Sequence, residues 1–128
     1  MKKRIMATIL CLCIVISVIG VPVAHAKWSN TQSIALALNL SGGTITSEGM
    51  VIGKSGTTNI SATFLLEKYV SNQYVYVDSW SDSSNSYVLA NSHKTYNCTS
   101  GTYRLTITGT VTKGSVVEDI ENSFTKTL

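Results

Sequence analysis

The chain has 128 residues, of which ten are basic and seven are acidic. Three of the basic residues are Lys2, Lys3 and Arg4, so the rest of the chain carries no net charge with histidine neutral. The remaining lysines and the single arginine are scattered, which argues against a nucleic acid or an anionic membrane surface as a partner, because both need grouped cations.

The N terminus has the three parts of a secretory signal. The charged residues precede an apolar run over Ile9–Val21, Pro22 then ends any helix, and Ala24-His25-Ala26 supplies the small residues that a signal peptidase reads. We therefore predict a signal peptide over residues 1–26, cleaved after Ala26, and a secreted single domain over residues 27–128. No membrane association is expected after cleavage.

Cysteine content limits how the domain can be stabilised. Two of the three cysteines, Cys11 and Cys13, lie in the predicted signal, which leaves Cys98. A single cysteine cannot form an internal disulfide, although it could link two chains. Packing and strand pairing must therefore stabilise the domain.

Apolar and polar residues alternate with a period of two through most of the chain, as expected for strands with one buried face. After a tail over Lys27–Thr31 that we expect to be frayed, the predicted strands cover Ser33–Leu40, Thr44–Ile52, Thr58–Val70, Gln73–Trp80, Tyr87–Ser92, Thr102–Thr112 and a final strand that includes Phe124. A polar loop is expected over Ser81–Ser86. About seven short strands without a helical pattern predict an all-β antiparallel β-sandwich.

The final hairpin allows a register to be predicted. A two-residue turn at Lys113-Gly114 pairs Val111 with Val116, Ile107 with Ile120 and Tyr103 with Phe124, all on one face. The same register places Arg104 diagonal to Glu121 as a surface ion pair. It also puts Glu118 on the inward face opposite Gly109, where a bulge could turn it outward.

Trp80, followed by Gly101-Thr102-Tyr103 at the start of a later strand, resembles the immunoglobulin-like pattern. The resemblance implies that Trp80 is a core tryptophan and that Tyr103 is a corner tyrosine whose hydroxyl binds nearby backbone. Leu105 would then replace the second cysteine of that family, and Phe64 or Leu66 would replace the first.

The chain is also similar to small secreted proteins of Gram-positive bacteria that belong to an uncharacterised family. The shared features are an isolated Trp80-Ser81, the Gly-x-Tyr-Arg strand at Gly101–Arg104, and a short hairpin into an acidic last strand. This resemblance implies an extracellular location and a fold, and it implies no activity.

Few residues could support catalysis or metal binding. His93 and Cys98 could in principle form a Cys–His pair, but no loop motif and no orienting group accompany them. Asp78 and Asp82 bracket a stretch rich in oxygen ligands, yet the glycine and glutamate of an EF-hand are missing. We expect no enzyme activity, no cofactor and no metal.

The aromatic residues are the strongest indication of a ligand site. Tyr74, Tyr76 and Trp80 share one parity of a strand, while Val75 and Val77 share the other. If the valines are buried, the three aromatics form an exposed strip that could stack on sugar rings or contact a protein. If the aromatics are buried, Trp80 is the core tryptophan and there is no strip.

The sequence thus favours a non-catalytic extracellular or cell-surface binding module for a protein or a cell-wall component. Two alternatives stay open. One is a carbohydrate-binding module that uses the Tyr/Trp strip, and the other is a structural protein that self-associates through sheet edges or Cys98. The sequence leaves the oligomeric state and the partner undetermined.

Overall fold

A computed structural model describes residues 28–128; the predicted signal peptide, its cleavage site and Lys27 lie outside this range. The described part of the chain contains seven strands and no helix. They are β1 (Thr31–Ser41), β2 (Thr44–Gly53), β3 (Thr57–Val70), β4 (Gln73–Ser84), β5 (Val88–Thr95), β6 (Thr102–Lys113) and β7 (Val116–Thr127). The prediction of an all-β sandwich is confirmed.

The strands form two antiparallel sheets, one with the order β1-β2-β5 and one with the order β4-β3-β6-β7. β1–β2, β3–β4 and β6–β7 pair as hairpins, and the chain crosses between the sheets from β2 to β3, from β4 to β5 and from β5 to β6. This is an immunoglobulin-like order in which the fourth strand belongs to the second sheet. The predicted strand positions were close, but β4 extends to Ser84 and includes four of the six residues of the expected polar loop.

The core lies between the inner faces of the two sheets. Alternating apolar residues supply it, since successive side chains of a strand point to opposite faces. Its most buried members are Ile45, Val51, Ile60, Phe64, Leu66, Tyr103, Leu105, Ile107 and Val111. Phe64 sits at the centre, and Gly49 on the facing sheet makes room for it: a β-carbon at Gly49 would lie 2.6 Å from the phenylalanine ring.

The final hairpin has the predicted faces but not the predicted register. Lys113 pairs with Val116, so Gly114 and Ser115 form the turn and every pair is shifted by two residues from the prediction. Leu105, and not Tyr103, therefore lies opposite Phe124, which is partly buried against the core. The shift preserves parity, so the buried residues of β6 were identified correctly from an incorrect turn, whereas Val116, which was placed on the same face, is exposed at the end of the hairpin.

The segment before β1 is held against the core and is not frayed. Trp28 is buried with the core residues, and Asn30 is 4% exposed. The Asn30 side-chain amide donates to the carbonyl oxygens of Val111 and Val116, both at 3.0 Å. The expectation of a frayed tail was wrong because a short polar stretch gives no sign of a distant partner.

Glu118 is the main partner of this segment. Its carboxylate accepts the backbone amides of Ser29, Asn30 and Thr31, and also the hydroxyls of Ser29 and Thr31 at 2.9 Å. We call this arrangement the N-terminal clamp. Glu118 faces inward opposite Val111 without a bulge in the β6–β7 pairing, so the bulge anticipated from the sequence is absent.

The clamp also changes the acidity of Glu118. Burial raises the pKa of its carboxyl group, but the hydrogen bonds from Ser29, Thr31 and Asn30 outweigh burial and hold the pKa below its ordinary value of 4.5. A lowered pKa means that the folded state favours the ionised form of the carboxyl group more strongly than the unfolded state does.

Tyr103 has the contact that the immunoglobulin-like resemblance implied. Its ring is buried, and its hydroxyl donates to the carbonyl oxygen of Thr99 at 2.6 Å. The implied replacement of the family's cysteine pair is wrong, because both candidates for the first position lie in the same sheet as Leu105: Leu66 is directly opposite Leu105, and Phe64 is opposite Ile107. A family disulfide would join the two sheets.

We predict that Glu118→Gln destabilises the domain by about 1–3 kcal/mol at pH 7, because three backbone amides lose a charged acceptor. The Glu118 contribution should be complete above pH 4.5 and disappear as the pH falls through the lower folded-state value. Urea denaturation at several pH values measures both effects. Glu121→Gln is the matched control, since Glu121 is an exposed carboxylate of the same strand. A difference from wild type that persists unchanged at pH 2 would contradict the clamp.

We also predict that Tyr103→Phe lowers the free energy of unfolding by about 1–2 kcal/mol, because the Thr99 carbonyl loses its donor. Tyr96→Phe, which alters an exposed tyrosine, should leave the free energy unchanged. An unchanged denaturation midpoint in Tyr103→Phe would show that the corner hydrogen bond contributes nothing to stability.

Candidate functional site

Tyr74, Tyr76 and Trp80 do not share a face, because β4 contains a bulge. Leu66 of β3 pairs with Asp78 and Glu67 pairs with Tyr76, so Val77 is an extra residue in β4. A single inserted residue reverses the parity of everything beyond it. Tyr74 and Tyr76 consequently lie on the outer face of the four-stranded sheet, and Trp80 lies on the inner face.

Three tyrosines gather on that outer face, at the hairpin between β3 and β4. Tyr69 is 46% exposed, Tyr76 is 65% exposed and Tyr74 is half-buried between its neighbours. Tyr69 and Tyr74 are cross-strand partners with ring centroids 5.1 Å apart. We call Tyr69, Tyr74 and Tyr76 the tyrosine patch.

Arg104 on β6 fixes the central ring of the patch. Its guanidinium lies 3.9 Å from the ring centroid of Tyr74, a cation–π contact. The same guanidinium donates twice to one oxygen of Glu67, at 2.8 and 3.1 Å. The predicted ion pair between Arg104 and Glu121 was wrong, since Arg104 lies opposite Thr125 on β7 and its acidic partner is on the other side, in β3.

The hairpin that carries the patch is tight. Ser71 and Asn72 form its turn, and both have positive φ, 52° and 66°. Two such residues in sequence match the twist of the flanking strands. The turn keeps Tyr69 and Tyr74 in register, so the two rings are presented as a preformed surface.

Trp80 lies at the edge where β4 of one sheet meets β5 of the other. It is half-buried between two flat neighbours: the Phe64 ring stacks at 5.6 Å between centroids and the His93 ring at 3.9 Å. Its indole N–H donates to the side-chain oxygen of Asn91 at 2.8 Å. Trp80 therefore packs against the border of the core. Its position on an edge strand differs from that of the central core tryptophan that the resemblance implied.

A row of polar side chains closes this edge, and we call it the inter-sheet seam. It consists of Asp78, Trp80 and Asp82 from β4 and Asn91, His93 and Thr95 from β5. Asp78 accepts His93 Nε2 at 2.9 Å and the Thr95 hydroxyl at 2.8 Å, while Asp82 accepts the Asn91 amide at 3.1 Å. Each polar side chain of the seam thus has a partner across the gap.

The seam lowers the pKa of Asp78. Burial raises this pKa, but hydrogen bonds from Thr95, His93 and the Ser79 amide outweigh burial and hold it below the ordinary value of 3.8. By the same reasoning as for Glu118, the stabilisation by Asp78 is present above pH 3.8 and is lost as the pH falls through the folded-state value.

The structure does not join the candidate catalytic pair. The His93 ring contacts Asp78 and Trp80, whereas the Cys98 thiol lies 3.5 Å from the carbonyl oxygen of Thr95 and 3.7 Å from that of Tyr96. Asp78 and Asp82 lie in a strand and not in a loop, and their carboxylates are used by the seam. Within residues 28–128, no group of three or more metal-ligating side chains could hold an ion.

Ser47, His93 and Asp78 have the residue types of a hydrolase triad. Ser47 lies directly opposite His93 on the inner face, and its hydroxyl has no hydrogen-bond partner among the described residues. Its side chain is only 1% exposed, however, so no substrate carbonyl can reach the hydroxyl in this conformation. The arrangement is a buried polar contact of the core and offers no site for acyl transfer.

No family model matches the chain, and comparison with curated proteins gives no match. Among residues 28–128 no helix has the length and apolar character to cross a membrane.

Sequence reasoning found two of the three patch tyrosines but missed the contacts that organise them. Tyr69 belonged to a visible cluster of aromatics, and its placement needed the hairpin register. Arg104 and Glu67 are separated by 37 positions in the sequence, and only the β3–β6 pairing brings them together. The bulge at Val77 had no signal, since neither glycine nor proline marks it.

We predict that Asp78→Ala loosens the seam and exposes Trp80. In a Trp28→Phe background, acrylamide should quench Trp80 weakly because the Phe64 and His93 rings stack against its indole. Removing the Asp78 carboxylate frees His93 and should raise the quenching constant, and it should cost about 1–3 kcal/mol of stability. Asp119→Ala, on the exposed face of β7, serves as the control. Equal quenching in the two variants would mean that Asp78 does not hold His93 on Trp80.

Proposed function

We propose that this protein is a secreted, non-catalytic binding module of a Gram-positive bacterium, and that the tyrosine patch is its binding surface. Export is supported by the predicted signal over residues 1–26. The patch itself carries the proposal. Tyr69 and Tyr76 are exposed large aromatic side chains on a regular sheet face, where polar residues would otherwise be expected.

The patch has the physical properties of a recognition surface. Tyrosine and arginine are enriched at binding hot spots, and tyrosine combines a large contact area with a polar group on a side chain that has few rotatable bonds. Arg104 and Glu67 hold Tyr74 in place before any partner arrives. Preorganisation of this kind lowers the entropy that binding would otherwise cost.

A binding role also agrees with the state of the other polar groups. The carboxylates of Asp78, Asp82 and Glu118 are each engaged by hydrogen bonds within the domain. Groups committed in this way stabilise the fold. The tyrosine patch differs, since most of the Tyr76 ring faces solvent.

The proposal predicts that the protein co-sediments with purified Gram-positive cell walls that retain their proteins, and that Tyr76→Ala weakens this binding at least fivefold. Loss of a central aromatic contact usually costs more than 1 kcal/mol, which corresponds to this factor. Tyr87→Ala is a matched control, because Tyr87 is 57% exposed but lies between β4 and β5, outside the patch. A wild-type protein that stays in the supernatant would contradict the proposal. Equal losses of wall binding in the two variants would mean that the tyrosine patch is not the binding surface.

A further inference from the structure

A second feature of the same sheet face indicates what kind of ligand the patch receives. Beyond the bulge, the outer row of β4 continues through Ser79, Ser81 and Ser83. Here the sheet carries a shallow open hollow of about 560 Å³. The hydroxyl-bearing residues that line it are Ser61, Thr63, Ser81, Ser83 and Thr110.

The hollow is polar without being charged. The Thr63 and Ser81 hydroxyls are hydrogen-bonded to each other at 3.1 Å, and each hydroxyl can still take part in further bonds. Asp82 also borders the hollow, but its side chain belongs to the inner face of the sheet, where its carboxylate accepts the Asn91 amide at 3.1 Å. The side chains that face the hollow therefore offer hydroxyl donors and acceptors and no charged group.

The patch is neutral for a different reason. Its only cation, the guanidinium of Arg104, is neutralised by Glu67 and covers one face of Tyr74. An anionic polymer would have to displace Glu67 to gain an ion pair. Aromatic rings beside uncharged hydroxyls match a sugar chain, whose rings have apolar faces and a rim of hydroxyl groups.

We infer that the ligand is an uncharged polysaccharide that runs along β4, with one sugar stacked on the tyrosine patch and others hydrogen-bonded in the hydroxyl-lined hollow. Tyr76 and Ser81 are five residues apart along the strand, which places the two subsites about 15 Å from each other. The contact between the Tyr76 hydroxyl and the Ser79 hydroxyl, at 3.3 Å, makes the surface continuous between them. This inference rests on the proposed function and specifies its ligand class.

A protein partner is less well matched by the hollow. Protein interfaces have an apolar core with polar groups at the rim. The lining of the hollow has no large apolar side chain, and Ala62 is its only aliphatic member. A protein surface would remove water from these hydroxyls without offering regularly spaced hydrogen-bond partners in return. A sugar chain supplies such partners through its own hydroxyl groups.

The test is calorimetric titration of the domain with neutral hexasaccharides of glucose, xylose, mannose and N-acetylglucosamine, with the matching disaccharides, and with hexagalacturonate as the acidic probe. One neutral hexasaccharide should bind at least tenfold more tightly than its disaccharide and than hexagalacturonate. The double variant Thr63→Val, Ser81→Ala should weaken hexasaccharide binding by about 3–10-fold, the effect of one or two hydrogen bonds. Its binding of the disaccharide should not change.

Ser123→Ala is the control for the double variant, because Ser123 is an exposed hydroxyl on the same sheet face, on β7, and does not line the hollow. If no neutral hexasaccharide binds, or if hexagalacturonate binds best, the inference is overturned. Wall binding that needs Tyr76 but disappears after protease treatment of the walls would leave the proposed function intact and assign a protein ligand. Absence of any wall binding would refute the proposed function itself.

Discussion

Two open sheets packed face to face leave two sides where edge strands meet, and sealing those sides is the constraint on which this structure depends. The inner face of an edge strand cannot be fully covered by apolar neighbours, and this domain has no internal disulfide to hold the sheets together. On each side, one carboxylate links the two sheets through hydrogen bonds. Asp78 joins β4 to β5 through the inter-sheet seam, and Glu118 joins β7 to the start of β1 and the residues before it through the N-terminal clamp. Both carboxyl groups have lowered pKa values, so the inter-sheet seam and the N-terminal clamp both weaken in acid.

The seam also determines where the tyrosine patch can lie. Asp78 and Trp80 must face inward to meet His93 and Asn91. The bulge at Val77 allows this while Tyr74 and Tyr76 face outward on the same strand. Without the extra residue, either the tyrosines would be buried or the tryptophan would be in solvent. A structural demand at one end of β4 thus creates the tyrosine patch at the other end.

How far the sequence could predict this structure depends on the range of the interaction. Alternation within a strand is local, so the buried residues of β6 were correctly assigned even though the hairpin register was wrong by two. The turn offered two solutions of the same parity, and a glycine fits either. The partner of Glu118 and the partner of Arg104 lie 87 and 37 positions away, respectively. No local pattern encodes such contacts, and the bulge that splits the aromatic strip is likewise invisible before β3 and β4 are paired.

The two aspartates of β4 have a further consequence for how the domain can meet other molecules. An exposed edge strand invites pairing with a second chain, because its outer amides and carbonyls lack partners. Here the carboxylate of Asp78 accepts the amide of Ser79, and that of Asp82 accepts the amide of Ser83, both at 2.8 Å. These two amides already donate to carboxylates. A strand added at this edge would therefore have to displace the carboxylates to form its own backbone hydrogen bonds. The edge that borders the tyrosine patch is therefore better suited to contact through side chains than to strand addition, and this favours a ligand that lies on the sheet face over one that extends the sheet.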